Sequence, residues 1–412
     1  MIFVTWTIRD VMLLRALSLH SEREIIVIAL RLSSYCYAKY CGLTVVGLWQ
    51  VPFLASLFFW KKLVSSFSID TRFYAGLAIK KRYFESAYTM YCQTLRRRLV
   101  NHIDIVFLTG TSRLSEQAIR SHFSKNRVIY WEAGMHGTIY MSEKGVNADA
   151  DFRDIVGGQS QSSYFAKLFN ETCSATGSEE IYRNTAAELL FKTIDGLYLI
   201  VLRYLLLNKE VDEILPTYSK PLKTRRKILD SNIIPEYCLF VDQVEQDTNF
   251  THFGNSPSDT LDQLKTVMES EYLSRSTILV RRAHPRQLVT QISQKLRHRF
   301  KTKYIDDSGS DLTESLLNAK LIITVNSTVG VEALLLGRPV VLLGESYFDR
   351  LYGVLSPEDG LRFVSGQLDL DFAKIKTGIS EFLNNCFIPI DYRRDQFIGI
   401  HGFDDFLKKL ER

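Results

Sequence analysis

Cysteine is scarce in this chain, six in 412 residues. The thiols at 36, 41, 92, 173, 238 and 386 show no paired metal spacing. That excludes a zinc-ribbon or disulfide-framework scaffold and leads to an expectation of free thiols in a reducing, cytoplasmic compartment. Net charge is also small, +5 overall, which makes no case for nucleic acid. There is no repeat of fixed period and no low-complexity tract, so a solenoid is not expected. At the start, Arg9 and Asp10 interrupt the apolar residues before a secretory h-region can form. Long uncharged runs are missing with one exception, the nineteen residues Gly42 to Trp60. Their length approaches the ~20 residues of a spanning helix. Gln50 and Pro52 inside the run, and Lys61-Lys62 after it, favour a buried or interface-lying helix and peripheral docking on a membrane face.

What is present is globular: 46% hydrophobic and 24% charged, over a length that suits two domains. Strand and helix patterns alternate, the α/β signature. Met1 to Trp6, Glu24 to Leu32, Ile103 to Leu108 and Val128 to Trp131 read as strands, with helices between them. Residues 139–148 read as a loop with a tight turn at Gly145. Residues 35–100, rich in aromatics, read as a helical insertion, and a stripe at Leu189, Leu190, Ile194, Leu197, Ile200 and Val201 reads as core. Residues 209–235 carry Pro216, Pro221 and Pro235 and form the expected linker. The expected division is a domain over 1–208, the linker, and a second domain over 236–412. Basic clusters at Lys80 to Arg82, Arg96 to Arg98 and Lys223 to Lys227 suit solvated faces, anionic lipid or a polyanionic glycan.

The most informative stretch is residues 321–353. An apolar run, Leu321 to Val325, leads into Asn326-Ser327-Thr328, then a helix that Gly337 ends, then a strand from Val340. A right-handed crossover puts the polar turn at a strand's carboxyl end and a helix's amino end, where an anion is favoured. These three residues are also the preferred N-caps of any helix. Glu332, one turn in, is buried by pattern and needs a hydroxyl or cationic partner. His284-Pro285 follows another apolar strand between Arg282 and Arg286, a set able to contact phosphate. Glu132, from the first half, and Asp242, Glu245 and Asp247, from the second, offer carboxylates for nucleophile and general base, or for capping and surface pairing. Asp311 with Glu314 reads as a helix cap in preference to a metal site.

Taken in order, Glu132-Ala-Gly134, Gly145-Val-Asn147, Val241-Asp242-Gln243 with Asp247, Arg282-x-His284-Pro285 and Asn326-Ser-Thr-Val-Gly-x-Glu332 resemble the bacterial capsule polysaccharide biosynthesis family of retaining β-Kdo glycosyltransferases. The resemblance covers about residues 125–355. It implies a GT-B-like α/β fold, two Rossmann-like domains facing a central cleft. It also implies CMP-Kdo as donor, a glycan or glycolipid acceptor, no metal or other cofactor, and work at the cytoplasmic face of the inner membrane. By the same resemblance Asp247 is the nucleophile and Glu132 the base or positioning carboxylate. Arg282, His284, Asn326, Ser327 and Thr328 meet the donor phosphate, Glu332 reaches the ribose, and Gly134, Asn147, Asp242 and Gln243 line the cleft. Two other readings stay open: inverting transfer from CMP-sialic acid or a related nonulosonate, and a non-catalytic subunit of glycan assembly.

Overall fold

In a computed structural model of the chain, the described residues are 1–47 without 6–7 and 21–23, positions 89 and 93, 105–109, 119–154 without 134–137, and helical positions between 189 and 197. From 237 to 391 they run without 245–249, 251–252, 269–276, 285–289, 301–303 and 308–310, and then include 396–397. The expected linker, most of residues 48–100, Gly134 and Asp247 lie outside them. They fall into two compact units, one comprising residues 1–146, 177–217 and 387–412, the other 147–176 and 218–386.

The first unit is built on an eight-stranded sheet. Its parallel part is β3 (Thr44–Gly47), β2 (Ile26–Ala29), β1 (Ile2–Thr5), β4 (Ile105–Leu108) and β5 (Arg127–Ala133). Strands β1, β2 and β4 are buried at every position, as their almost wholly apolar sequences, with Thr5 the one polar residue, require of strands covered on both faces. Phe3 stacks on Phe107 at 4.0 Å between centroids and meets Trp131 edge-on at 6.2 Å, in the middle of this core.

Three expectations need correction here. Residues 138–142 are a strand, β6, antiparallel to β5, where a loop was expected. Thr44–Gly47 continues the parallel sheet, so the sheet includes residues that the sequence assigns to a helical insertion and to the start of the uncharged helix. Most of that run lies outside the described residues, and no described helix is long and apolar enough to cross a membrane. The third concerns the end of the chain: β13 (Phe387–Asp391) pairs antiparallel with β6, and β14 (Gln396–Phe397) with β13, so these strands belong to the first sheet and not to a domain over 236–412.

The second unit has a six-stranded sheet in which every pairing is parallel. It runs β12 (Val354–Leu355), β11 (Val340–Leu342), β10 (Leu321–Thr324), β7 (Tyr237–Val241), β8 (Ile278–Arg282), β9 (Tyr304–Asp306). From β7 the chain winds outward through β8 and β9, and from β10 in the opposite direction through β11 and β12. The order reverses between β7 and β10, and the crevice outside their carboxyl ends is where an open parallel sheet receives ligands. Helices cover the core formed by Phe240, Leu264, Leu279, Ile292, Leu296 and Ile323. Asp311 caps the helix 312–318, its carboxylate accepting from the Glu314 amide at 3.0 Å.

Candidate functional site

The turn after β10 sits at that reversal. Helix Val329–Leu335 follows it, and Gly337, in the left-handed region at φ 76°, lets the chain turn back into β11. The helix comes close to its surroundings at Gly330. A Cβ added there would lie 2.8 Å from the ring of Phe348, which is fully buried. Gly330→Ala is therefore expected to destabilise by about 1–2 kcal/mol, overpacking outweighing the better helix propensity of alanine. Urea unfolding of the full chain measures this, and a neutral or stabilising result would refute the close approach.

The polar turn is tied to the end of β7 by one side chain. Gln243 Oε1 accepts from the backbone N–H of Asn326 at 2.8 Å, and Gln243 Nε2 donates to Asn326 Oδ1 at 2.9 Å. Thr324 Oγ1 donates to the Val241 carbonyl at 3.1 Å, a second tie between the same strand ends. All four residues are buried. The two hydrogen bonds with Gln243 fix the amide of Asn326 with its oxygen toward Gln243 and its NH₂ on the other side. Of the two following residues, Ser327 Oγ accepts from the Val329 amide at 3.3 Å, whereas Thr328 makes no capping bond and is exposed. A plain capping role thus accounts for Ser327 but not for Asn326 or Thr328.

Glu332 lies on the same helix, enclosed by protein on most sides. Burial pushes its carboxyl up to about 7, against the pull of the Arg282 guanidinium. Arg282 ends β8, and His284 stands two residues beyond it, partly buried. The strand ends thus bring Arg282 within electrostatic reach of Glu332, and Asn326 against Gln243. This group has a cation for an anionic ligand, a carboxyl able to bind a hydroxyl, and oriented amide groups.

Asp242 departs from expectation. Its Oδ2 accepts from Arg281 Nε at 2.9 Å, Arg281 Nη2 at 2.7 Å and Thr290 Oγ1 at 2.7 Å, and its Oδ1 accepts from the Gln243 amide at 2.9 Å. Both residues of the ion pair are 1% exposed. A carboxylate so fully engaged anchors the backbone from which Gln243 projects, and it is not available as a nucleophile or to line a cleft. Arg281 also donates to Asp306 at 2.9 Å. Burial alone would lower the pKa of Arg281, but Asp242 and Asp306 more than offset this and raise it. The sequence carried a clue to this pair, since a charged residue in an apolar strand demands a partner.

A further ion pair was not anticipated. Two short 3-10 turns, Asn147–Asp149 and Asp151–Asp154, carry Arg153. Its guanidinium grips the Asp349 carboxylate with two N–H groups, donates to Glu345 at 3.3 Å and reaches the Ala148 carbonyl at 3.0 Å. Both acids follow β11, so the turn is held to this sheet's carboxyl-end loops. Asn147 itself is buried with φ 54°, a conformation asparagine tolerates. In the first unit Glu132 lies within β5, not past its end, opposite Tyr140 of β6, whose hydroxyl donates to Glu132 Oε2 at 2.5 Å. Among the described residues no three histidine, cysteine or acidic side chains gather as a metal site.

Comparison with known proteins adds the following. Residues 222–356 match the family model described as capsule polysaccharide biosynthesis protein. Protein FixF of Sinorhizobium fredii is 29% identical over 185 residues, 45% of this chain and 42% of that protein. The capsule polysaccharide export protein KpsS of Escherichia coli is 28% identical over 139 residues, 31% of this chain and 35% of that one. The chain thus spans less than half the length of these curated relatives. A solved Thermosulfurimonas dismutans structure titled KpsC, beta Kdo 2,4 transferase, aligns with 74% of this chain and 88% of its own at 12% identity and a TM-score of 0.43.

Proposed function

We propose, from the match of residues 222–356 to the capsule polysaccharide biosynthesis family model, that the chain is a glycosyltransferase that moves Kdo from CMP-Kdo to a surface-glycan acceptor with retention and without a metal. The observation that carries this is the group at the β7–β10 reversal, where Gln243 orients Asn326 and Arg282 stands within electrostatic reach of Glu332. A nucleotide with one phosphate and one ribose suits that set. Arg282 and His284 take the phosphate charge together with the 326–328 turn, and Glu332 takes a ribose hydroxyl.

In this reading the Asp247 carboxylate attacks the anomeric carbon as the bond to the CMP phosphate oxygen breaks, and CMP departs with the electron pair. The acceptor hydroxyl then displaces Asp247 from the opposite face and gives up its proton to Glu132, whose carboxylate Tyr140 holds in place. Two inversions give net retention. The engagement of Asp242 by Arg281 and Thr290 supports Asp247 over Asp242 as nucleophile.

Intact-protein mass spectrometry after incubation with CMP-Kdo alone tests this. An added Kdo mass on the wild type, absent from Asp247→Asn, is expected. A folded protein that forms no adduct and releases no CMP with any glycan acceptor would overturn the reading. Turnover of CMP-sialic acid instead would replace donor and stereochemistry together.

A further inference from the structure

Glu345 stands beside the polar turn, although nothing in the proposed reaction uses it. Past the end of β11 its pairing with β10 runs on, the Leu343 amide donating to the Thr324 carbonyl at 3.0 Å and the Gly344 amide to the Val325 carbonyl at 2.9 Å. Glu345 and Asn326, the next residue on each side, therefore leave the sheet together, at about the 4.8 Å spacing of neighbouring strands. The Glu345 amide donates to the Phe253 carbonyl at 2.8 Å, which fixes its backbone. Its side chain is 66% exposed and reaches Arg153.

The Arg153 guanidinium has two unlike sides. Nε and Nη2 form a fork on the Asp349 carboxylate, the strong bidentate arrangement, and Asp349 is largely buried. Nη1 donates to the Ala148 carbonyl at 3.0 Å and to Glu345 Oε2 at 3.3 Å. A guanidinium has five N–H groups. These bonds leave one Nη2 hydrogen, which has no partner among the described residues, and the planar fork turns it toward the Nη1 end. The contact with Glu345 is long and exposed, and single pairs of that kind are worth little. Asp349 and Ala148 therefore hold the guanidinium in place, and Glu345 is the partner it gives up.

A carboxylate fits the end so released. It takes the spare Nη2 hydrogen and an Nη1 hydrogen together, the end-on counterpart of the grip on Asp349. In the donor proposed above, the sugar's carboxyl carbon and the phosphate oxygen are bonded to the same anomeric carbon. A phosphate on the 326–328 turn thus brings a sugar carboxylate within reach of the residues that leave the sheet beside Asn326. A neutral sugar has nothing with which to displace Glu345, whose charge then stays near the phosphate and repels it.

We propose, resting on the CMP-activated donor read above, that Arg153 receives the carboxylate of the donor sugar in exchange for Glu345, and that this exchange selects acidic sugars over neutral ones. Surface plasmon resonance on the immobilised full chain tests it, comparing CMP with freshly prepared CMP-Kdo. All proteins carry Asp247→Asn, which keeps the donor intact, and far-ultraviolet circular dichroism checks that each is folded. The reference protein is expected to bind CMP-Kdo more tightly than CMP. Arg153→Gln is expected to lose at least about tenfold in affinity for CMP-Kdo, the worth of a charged hydrogen bond, with little change for CMP. Glu345→Gln, which leaves the grip on Asp349 intact, is expected to bind CMP-Kdo about two- to fivefold more tightly, because the competing carboxylate is gone. A merely structural Arg153 predicts something else, equal losses for both ligands in Arg153→Gln and no gain in Glu345→Gln. Either of those results would overturn the proposal and leave the donor reading in place, and if Arg153→Gln does not fold, the gain or its absence in Glu345→Gln decides alone. A folded reference protein that binds neither ligand would overturn the donor reading and this proposal with it.

Discussion

Arg281→Leu is expected to cost about 3–5 kcal/mol, because it leaves the Asp242 carboxylate buried without its cation. Thr290 and the Gln243 amide would still donate to that carboxylate, but neither carries charge. Asp306 would be left with Arg297 at 3.5 Å, an exposed contact of little worth. The measurement is the urea midpoint of the full chain, followed by a probe in the second unit. Asp242→Leu alone should be comparably damaging, since it strands Arg281. The double variant Asp242→Leu/Arg281→Leu should recover much of the loss, since an apolar pair of similar volume avoids the desolvation that both charges incur. Additive losses in the double variant would show that the two residues stabilise the fold separately. The consequence reaches the site, because Asp242 precedes Gln243 and accepts from its amide. A loosened Asp242 should therefore weaken nucleotide binding in whatever fraction of the variant still folds.

The second large effect has the opposite sign. Glu332→Gln should stabilise the protein at pH 8 by about 3 kcal/mol and leave it unchanged near pH 4. The carboxyl is raised from 4.5 to about 7 in the folded protein. A raised acid holds its proton more tightly in the folded state than in the unfolded state. Its contribution to stability is therefore full below the unfolded value of 4.5 and is lost as pH rises through 7. The difference of roughly two and a half units corresponds to about 3 kcal/mol, and glutamine avoids that loss. Stability of both proteins, measured from pH 4 to 8, should diverge through this window and run parallel above it. A difference independent of pH would mean that the carboxyl titrates normally. The same variant should bind CMP more weakly. Retaining a destabilising acid fits a binding site better than it fits a core.

Much of the second unit was legible because its strands announce themselves. Tyr237 to Val241, Ile278 to Arg282 and Leu321 to Thr324 are apolar runs with helices between them, and a parallel sheet buried on both faces requires that pattern. The turn at 326–328 and the depth of Glu332 followed from the same alternation. What stayed hidden depends on partners far away in sequence. Residues 138–142 have too short an apolar run to look like a strand, and one of their partners is Phe387 to Pro389. By sequence Asp242 is a candidate cleft carboxylate, and the residue that occupies it, Arg281, is 39 residues on. Arg153 and Asp349 are 196 residues apart, and no local pattern links them. The leucines at 189, 190 and 197 show another limit: read as core, they are more than half exposed, since periodicity gives a helix an apolar face without saying what that face meets.

The pairing of β6 with β13 also bears on how the chain is made. Between Ser142 and Phe387 lie about 245 residues, including the whole of the second sheet. At ribosomal speeds of roughly 5–20 residues per second, β6 emerges about ten to fifty seconds before its outer neighbour. For that interval Thr138 to Tyr140 present an open, apolar edge, the kind of surface that recruits other chains. A nascent molecule thus has its first sheet open on one side while its second is completed, and holding that edge apart from other nascent chains becomes a task for the cell's folding machinery.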